Sequence, residues 1–373
     1  MFTDKFQLRV PLLRLLVGLL ITVVPISLIA LYAVARSDDS MKEMVGSHFQ
    51  SIAIVTAGDV SQFVNDRVIS VGTLAANPII TEACATANEK YGGISPEAIQ
   101  ERMQKVEKIW NTAAGDVMAR EMLGSRASKV LNQYREIDRR FLRITLTDRS
   151  GGVIAATHKT LDYYQADEEF WQGVYSSGRG AVSITDILYD EVTKSNYIGL
   201  GVPVMAPGSN VLVGVLDALI EVSSLFPIVH RAQLGRTGRI LLLKADGTVI
   251  QAPDTSLSMN VKSEEFAAIR DAGGLARINL RGHLATTVGA VPTMIAYAST
   301  GLQEHYPKLG WSIVVAQDSQ EALAPTRVIV RLISFMALVG LAMVTLLAMY
   351  FSLHREAEYT DIKALRTGGK PPQ

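Results

Sequence analysis

The residues best suited to chemistry lie between Tyr163 and Tyr175. Tyr163, Tyr164, Phe170, Trp171 and Tyr175 alternate there with Asp167, Glu168 and Glu169, and Asp162, Asp186, Asp190 and Glu191 extend the acidic character. A carboxylate beside an aromatic face can hold an ammonium group. Tyrosine and tryptophan add an apolar wall with a polar edge. Asp217 and Glu221 stand four residues apart in an apolar run, so both fall on one face of an extended strand. Bland readings stand beside these. A run of acids also makes a solvated surface, Phe170 reads as a helix residue packed in a core, and Trp171 suits a pocket or a core equally.

Other chemistries lack their residues. There is no Gly-x-Ser-x-Gly elbow, no phosphate-binding glycine loop and no His-Glu-x-x-His. His48, His158, His230, His283, His305 and His354 are scattered, so no metal site, no cofactor and no catalytic residue is expected. Lys plus Arg and Asp plus Glu both number 36, which leaves no basic footprint for nucleic acid. The single cysteine, Cys84, sits among alanines and reads as a small buried helix residue.

The elements that must position the aromatic–acidic segment are strands. Leu142–Leu146 and Val153–Ala156 flank the turn Asp148-Arg149-Ser150-Gly151-Gly152. Extended runs follow at 181–188, 197–204 and 211–222, the last two joined by a Pro-Gly loop at 205–210. Upstream, apolar residues from Met44 to Leu74 recur at helical spacing, which predicts one long helix over 40–74, spanning two modules or packed on one. Ser95-Pro96 predicts a helix start, with the helix running to about Ala114, and a further helix is expected over 127–139. The run from Ile144 to Thr157 resembles that from Ile240 to Pro253, both strand, acidic-glycine turn, strand. Strand-like runs at 294–298 and 311–316 complete a second, similar sheet. The fold class is α+β.

Two apolar stretches, 11–34 and 328–353, are each long enough to span a bilayer. The first also fits a cleaved signal peptide. Lys5, Arg9 and Arg14 flank the first, and His354, Arg355, Lys363, Arg366 and Lys370 follow the second, which predicts cytoplasmic termini and an external middle. The domain plan is a cytoplasmic N-terminus 1–10, span 11–34, helix plus distal module 36–230, proximal module 231–320, span 328–353 and tail 354–373.

This organisation resembles the double Cache family of extracytoplasmic sensors, over residues about 40–320. Carrying it are the long first helix, Asp148-Arg-Ser-Gly-Gly, Phe170-Trp171, Val202-Pro203-Val204, Gly214-Val215-Leu216, Gly235-Arg-Thr-Gly and Gly310-Trp311-Ser312-Ile313-Val314-Val315. The resemblance implies two PAS-like antiparallel-sheet modules and a ligand site in the module farther from the membrane. In its amino-acid-sensing branch a tyrosine, an arginine five residues on and a tryptophan two beyond grip the ligand. Tyr164 and Trp171 keep that spacing, Glu169 replaces the arginine, Gln172 follows the tryptophan, and the aspartate slot of the last strand holds Leu219 between Asp217 and Glu221.

The expected function is a membrane-anchored sensor, not an enzyme, with ligand-binding residues Tyr164, Asp167, Glu169, Trp171, Tyr189 and Asp217. The reversed charge at Glu169 predicts a neutral or amine-bearing ligand and poor binding of plain α-amino acids, unless Glu169 faces solvent. A homodimer in the plasma (inner) membrane is expected. The tail after the second span is too short for the output domain the family usually carries, so either a signalling partner in trans or a truncated chain is expected. The alternative is a membrane-anchored scaffold that binds a protein and no small molecule.

Overall fold

The computed structural model describes residues 12–190, 195–231, 234–252, 260–273, 281–324, 331–332, 334–347 and 349–350. It divides into two compact units, Met1–Gly46 with Ser319–Gln373, and Ser47–Asp318.

The first helix, α1 (Leu12–Ala75), contributes to both units. In the first unit its large apolar side chains, among them Leu20, Ile29 and Tyr32, are exposed, as are Phe335, Met336 and Leu346. Among the described residues no single helix is long and apolar enough to cross a membrane. Ser334–Leu347 is a shorter apolar helix, and Asp39–Ala75 with Pro78–Glu89 passes only as a pair bent by 59°. Residues 328–330, 333, 348, 351–353 and the tail 354–373 lie outside the described residues, as does 1–10.

In the second unit α1 is followed by α2 (Pro78–Glu89), α3 (Pro96–Trp110), α4 (Ala113–Leu123) and α5 (Arg126–Ile137). Asn77 and Ser95 cap α2 and α3 through their side chains, each with proline at the first helical position. The helix expected to run to Ala114 stops at Trp110. The Trp110 indole is buried and donates to Thr160 O at 2.9 Å, and the chain reverses so tightly that a Cβ on Gly115 would lie 2.0 Å from Trp110 O.

Next come β1 (Phe141–Asp148), β2 (Val153–Ala156), α6 (Glu169–Tyr175), β3 (Ser183–Ile184), β4 (Leu188–Asp190), β5 (Ser195–Met205), β6 (Leu212–Glu221) and α7 (Phe226–Val229). They form an antiparallel sheet in the order β2-β1-β6-β5-β3, with β4 also on β5. The run 181–188 is thus two short strands broken at Thr185–Ile187. One sheet face, with Ile144, Leu146, Leu216 and Ala218, is wholly buried on the side of α2 and α5.

The proximal module holds β7 (Arg239–Leu243), β8 (Val249–Gln251), α8 (Glu264–Asp271), β9 (Arg281–Val288), β10 (Val291–Ser299) and β11 (Ser312–Asp318). Its order, β8-β7-β11-β10-β9, repeats that of the first sheet. The repeat extends to detail. Gly151 and Gly247 share positive φ (89° and 82°), and the bridges Gly152–Tyr164 and Thr248–Lys262 occupy the same place after the turn. β9 and α8 were not legible in the sequence.

The two sheets differ in one face. In the first, Thr145 pairs with Asp217 and Asp217 with Gly201. The equivalent triplet in the second is Leu241, Val314 and Tyr297. Leu241, Leu243, Ile295, Tyr297, Val314 and Ala316 form one buried apolar cluster, so the proximal module packs most of this face with its own side chains and leaves a smaller cavity beside Tyr297 and Val314.

Candidate ligand-binding site

On the corresponding face of the distal sheet there is a cavity of about 280 Å³. Its floor is three adjacent strands. Arg143, Thr145 and Thr147 come from β1, Val215, Asp217 and Leu219 from β6, and Tyr197 and Gly199 from β5. The pleat puts every second residue on one face, which is why these odd-numbered positions converge. The roof is the segment Thr160–Trp171, and Thr185 and Leu188 close one side.

The roof is pinned in place. Glu107 of α3 accepts the backbone N–H groups of Tyr163 (2.7 Å) and Tyr164 (2.8 Å). Trp171 Nε1 donates to Thr147 Oγ1 at 2.9 Å, and its ring stacks on Tyr175 with centroids 4.9 Å apart. α6 lies close on β5 because the strand carries glycine there. A Cβ on Gly201 would sit 2.4 Å from Val174 Cγ2 and 2.8 Å from Phe170 Cζ. The turn before β2 is held by buried Asp148, which accepts from Tyr91 Oη, Ser150 N and Gly152 N. Burial raises the Asp148 carboxyl above its ordinary range and pushes the Tyr163 phenol up to about 12.

The cavity walls mix apolar and polar groups, and some of the polar atoms have no partner. Seven buried side-chain nitrogens and oxygens among the described residues have no hydrogen-bond partner. Four of them line this cavity: Arg143 Nε, Thr145 Oγ1, Thr160 Oγ1 and Asp217 Oδ1. A buried polar atom without a partner costs about 1–3 kcal/mol, so four in one cavity amount to a prepared set of contacts. Burial raises the Asp217 carboxyl to about 6, against the opposing pull of the Arg143 guanidinium. His158, outside the cavity lining, is held below its usual range by burial and by the nearby guanidinium groups of Arg135 and Arg143.

The sequence-expected residues separate here. Trp171 and Asp217 line the cavity, and Leu219 lies beside Asp217 as the pleat requires. Glu169 does not. Its side chain is 87% exposed and pairs with Lys308 Nζ at 3.0 Å. Glu168, though exposed, and buried Trp171 border the cavity, whereas Glu169 at the first position of α6 faces outward. The charge argument built on Glu169 is corrected accordingly, because that carboxylate does not meet an occupant. Asp167 is exposed, and Tyr164 is half-buried outside the cavity lining. Tyr189 is 46% exposed, since β4 turns its neighbour Leu188, paired with Tyr197, toward the cavity. Arg143, Thr145, Thr160 and Glu107 were missed. The signal for the first two was the alternation Arg143-Ile144-Thr145-Leu146-Thr147, polar at every odd position of a central strand.

The Cache domain family profile matches residues 37–326. The chain belongs to the double Cache family. Among solved structures, the Cache fold of this chain is similar to the sensory domain of the Campylobacter jejuni chemoreceptor Tlp3 (CcmL). That match has 13% identity, covers 77% of this chain and 99% of that one, and has a TM-score of 0.50. It is also similar to the ligand-binding domain of the Pseudomonas aeruginosa PAO1 amino acid chemoreceptor PctB in complex with L-Arg (16%, 76% and 98%, 0.44). A third is the ligand-binding domain of the Pseudomonas fluorescens chemoreceptor CtaA in complex with L-isoleucine (16%, 77% and 97%, 0.46). At such identities the likeness is one of fold. No curated protein matches the chain.

Proposed function

We propose that this Cache protein is a membrane-anchored extracytoplasmic sensor whose distal module binds a small molecule carrying both an amine and a carboxylate. The observation that carries the reading is the single cavity lined by the unpartnered atoms of Arg143, Thr145, Thr160 and Asp217. A guanidinium suits a carboxylate and a buried carboxylate suits an ammonium. Trp171 and Phe170 supply the apolar wall. An open cavity beside Trp171 favours a small ligand over the scaffold reading.

The finer parts of the proposal rest on the sequence. The two apolar stretches anchor the chain in the plasma (inner) membrane, both termini are cytoplasmic, and the signal passes to a partner in trans. A homodimer is supported by α1, whose exposed residues Ser51, Val55, Gly58, Gln62, Asn65 and Ile69 recur every three or four positions without a charge.

Calorimetry of the full-length protein in detergent against the twenty amino acids and their decarboxylated amines tests the ligand. A binder lost in both Arg143→Met and Asp217→Asn is expected. Binding that survives both substitutions would remove the reading.

A further inference from the structure

The wall of the cavity formed by Thr185 and Leu188 is held from the other module. Between these two residues, Asp186 spends both carboxylate oxygens on fixed partners. Oδ1 accepts from Trp311 Nε1 at 2.9 Å and from Ile187 N at 2.8 Å, and Oδ2 pairs with Lys244 Nζ at 2.9 Å. Lys244 Nζ also donates to Ile187 O at 3.2 Å. Lys244 and Trp311 flank two strands of the proximal sheet, Lys244 directly after β7 and Trp311 directly before β11. Leu243 of β7 pairs with Ser312 of β11, so the residues just beyond them meet at the same end of that sheet. Trp311 is 1% exposed, and its ring also borders a separate cavity of about 140 Å³ inside the proximal module.

The distal sheet holds this segment weakly by itself. β3 is two residues long and β4 three, and between them Thr185 makes the local contacts, its N–H to Gly199 O (2.9 Å) and its Oγ1 accepting from Gly199 N (2.8 Å). The charge-assisted bond from Lys244 is stronger than a neutral hydrogen bond of either short ladder.

We propose that Asp186 is a positioning residue for the ligand cavity, and that Lys244 and Trp311 of the proximal module set the geometry of that cavity through it. The proposal rests on the ligand reading for its affinity arm alone. An occupant that shifts Thr185 or Leu188 pulls on Asp186 and hence on the ends of β7 and β11. A change in the proximal sheet acts on the cavity by the same bonds.

The test uses full-length protein in detergent and two readouts. Hydrogen exchange at residues 185–188 is expected to quicken at least tenfold in Lys244→Met and in Asp186→Ala, with β1 and β6 unchanged. Lys244→Arg is expected to restore slow exchange, and Trp311→Phe to give an intermediate rate. Unaltered exchange at 185–188 in Lys244→Met and Trp311→Phe overturns the proposal. For any amino acid of the panel that binds the unaltered protein, Lys244→Met is expected to weaken binding at least fivefold, and unchanged affinity overturns the proposal equally. If none of the panel binds, the ligand reading falls and the exchange result decides alone. Lys308→Met, which breaks the exposed pair with Glu169, is the control expected to change neither readout.

Discussion

Arg143 and Asp217 lie one diagonal step apart on adjacent strands, and both line the same cavity. Arg143 faces Leu219 across the ladder and Asp217 faces Thr145. Diagonal neighbours stand roughly 7–8 Å apart, somewhat less at Cβ. No ion pair joins these two, which leaves room for a small zwitterion between them. Asp217→Asn should abolish binding of an amine-bearing ligand, and Arg143→Met that of its carboxylate partner. Calorimetry on decarboxylated and intact forms separates the two. Loss of both forms in Arg143→Met alone would show that the guanidinium shapes the cavity instead of gripping a carboxylate.

The elevated Asp217 carboxyl makes a pH prediction of definite sign. The folded protein holds its proton up to about pH 6, whereas the unfolded chain releases it near the ordinary value of 3.8. The folded state therefore binds more protons in that window, and this group's contribution to stability falls as pH rises through it. A shift of that size corresponds to about 2–3 kcal/mol. Asp217→Asn should gain stability relative to the unaltered protein between pH 4 and 7, as followed by thermal melting. An amine ligand should bind more tightly above pH 6 than below it.

Glu107 holds two backbone N–H groups of the roof. Glu107→Ala leaves them without partners and should cost about 2 kcal/mol. Exchange at Tyr163 and Tyr164 should quicken while α2 and β6 stay protected. Glu107→Gln, which keeps an accepting oxygen, should retain most of the stability.

Gly201→Val forces a side chain into the space taken by Val174 and Phe170. Overpacking of this kind costs about 1–3 kcal/mol. α6 should be displaced from β5, and ligand binding should be lost although no cavity-lining side chain has changed. A crystal structure of the variant, or fluorescence of Trp171, reports the displacement.

A reporter fused after Gln373 should read as cytoplasmic, and one inserted near Gly208 as external. The opposite result at either position would leave the sheet out of reach of an external ligand.

The sequence carried the strands and the repeat clearly, because their apolar alternation and acidic-glycine turns are local. Strand ends agree to within a residue or two at β1, β2, β5 and β6. What it could not convey was direction. Whether Glu168 or Glu169 borders the cavity depends on where α6 begins, a matter of a single residue. Arg143 and Glu107 reach the site from elements distant in sequence, so no spacing rule links them to Tyr163–Tyr175. The break of 181–188 at Thr185–Ile187 was hidden because Asp186 is explained by Lys244 and Trp311, which come more than fifty residues later.

The two sheets share a strand order but not a filling. Where Leu241, Val314 and Tyr297 belong to a buried apolar cluster in one, Thr145 and Asp217 line an open cavity in the other. Such a molecule carries its own reference. Heat or salt acts on both halves and largely cancels between them, whereas an occupant acts on one. The quantity such a pair can register is the difference between an interior packed mostly by its own side chains and one left open to an occupant.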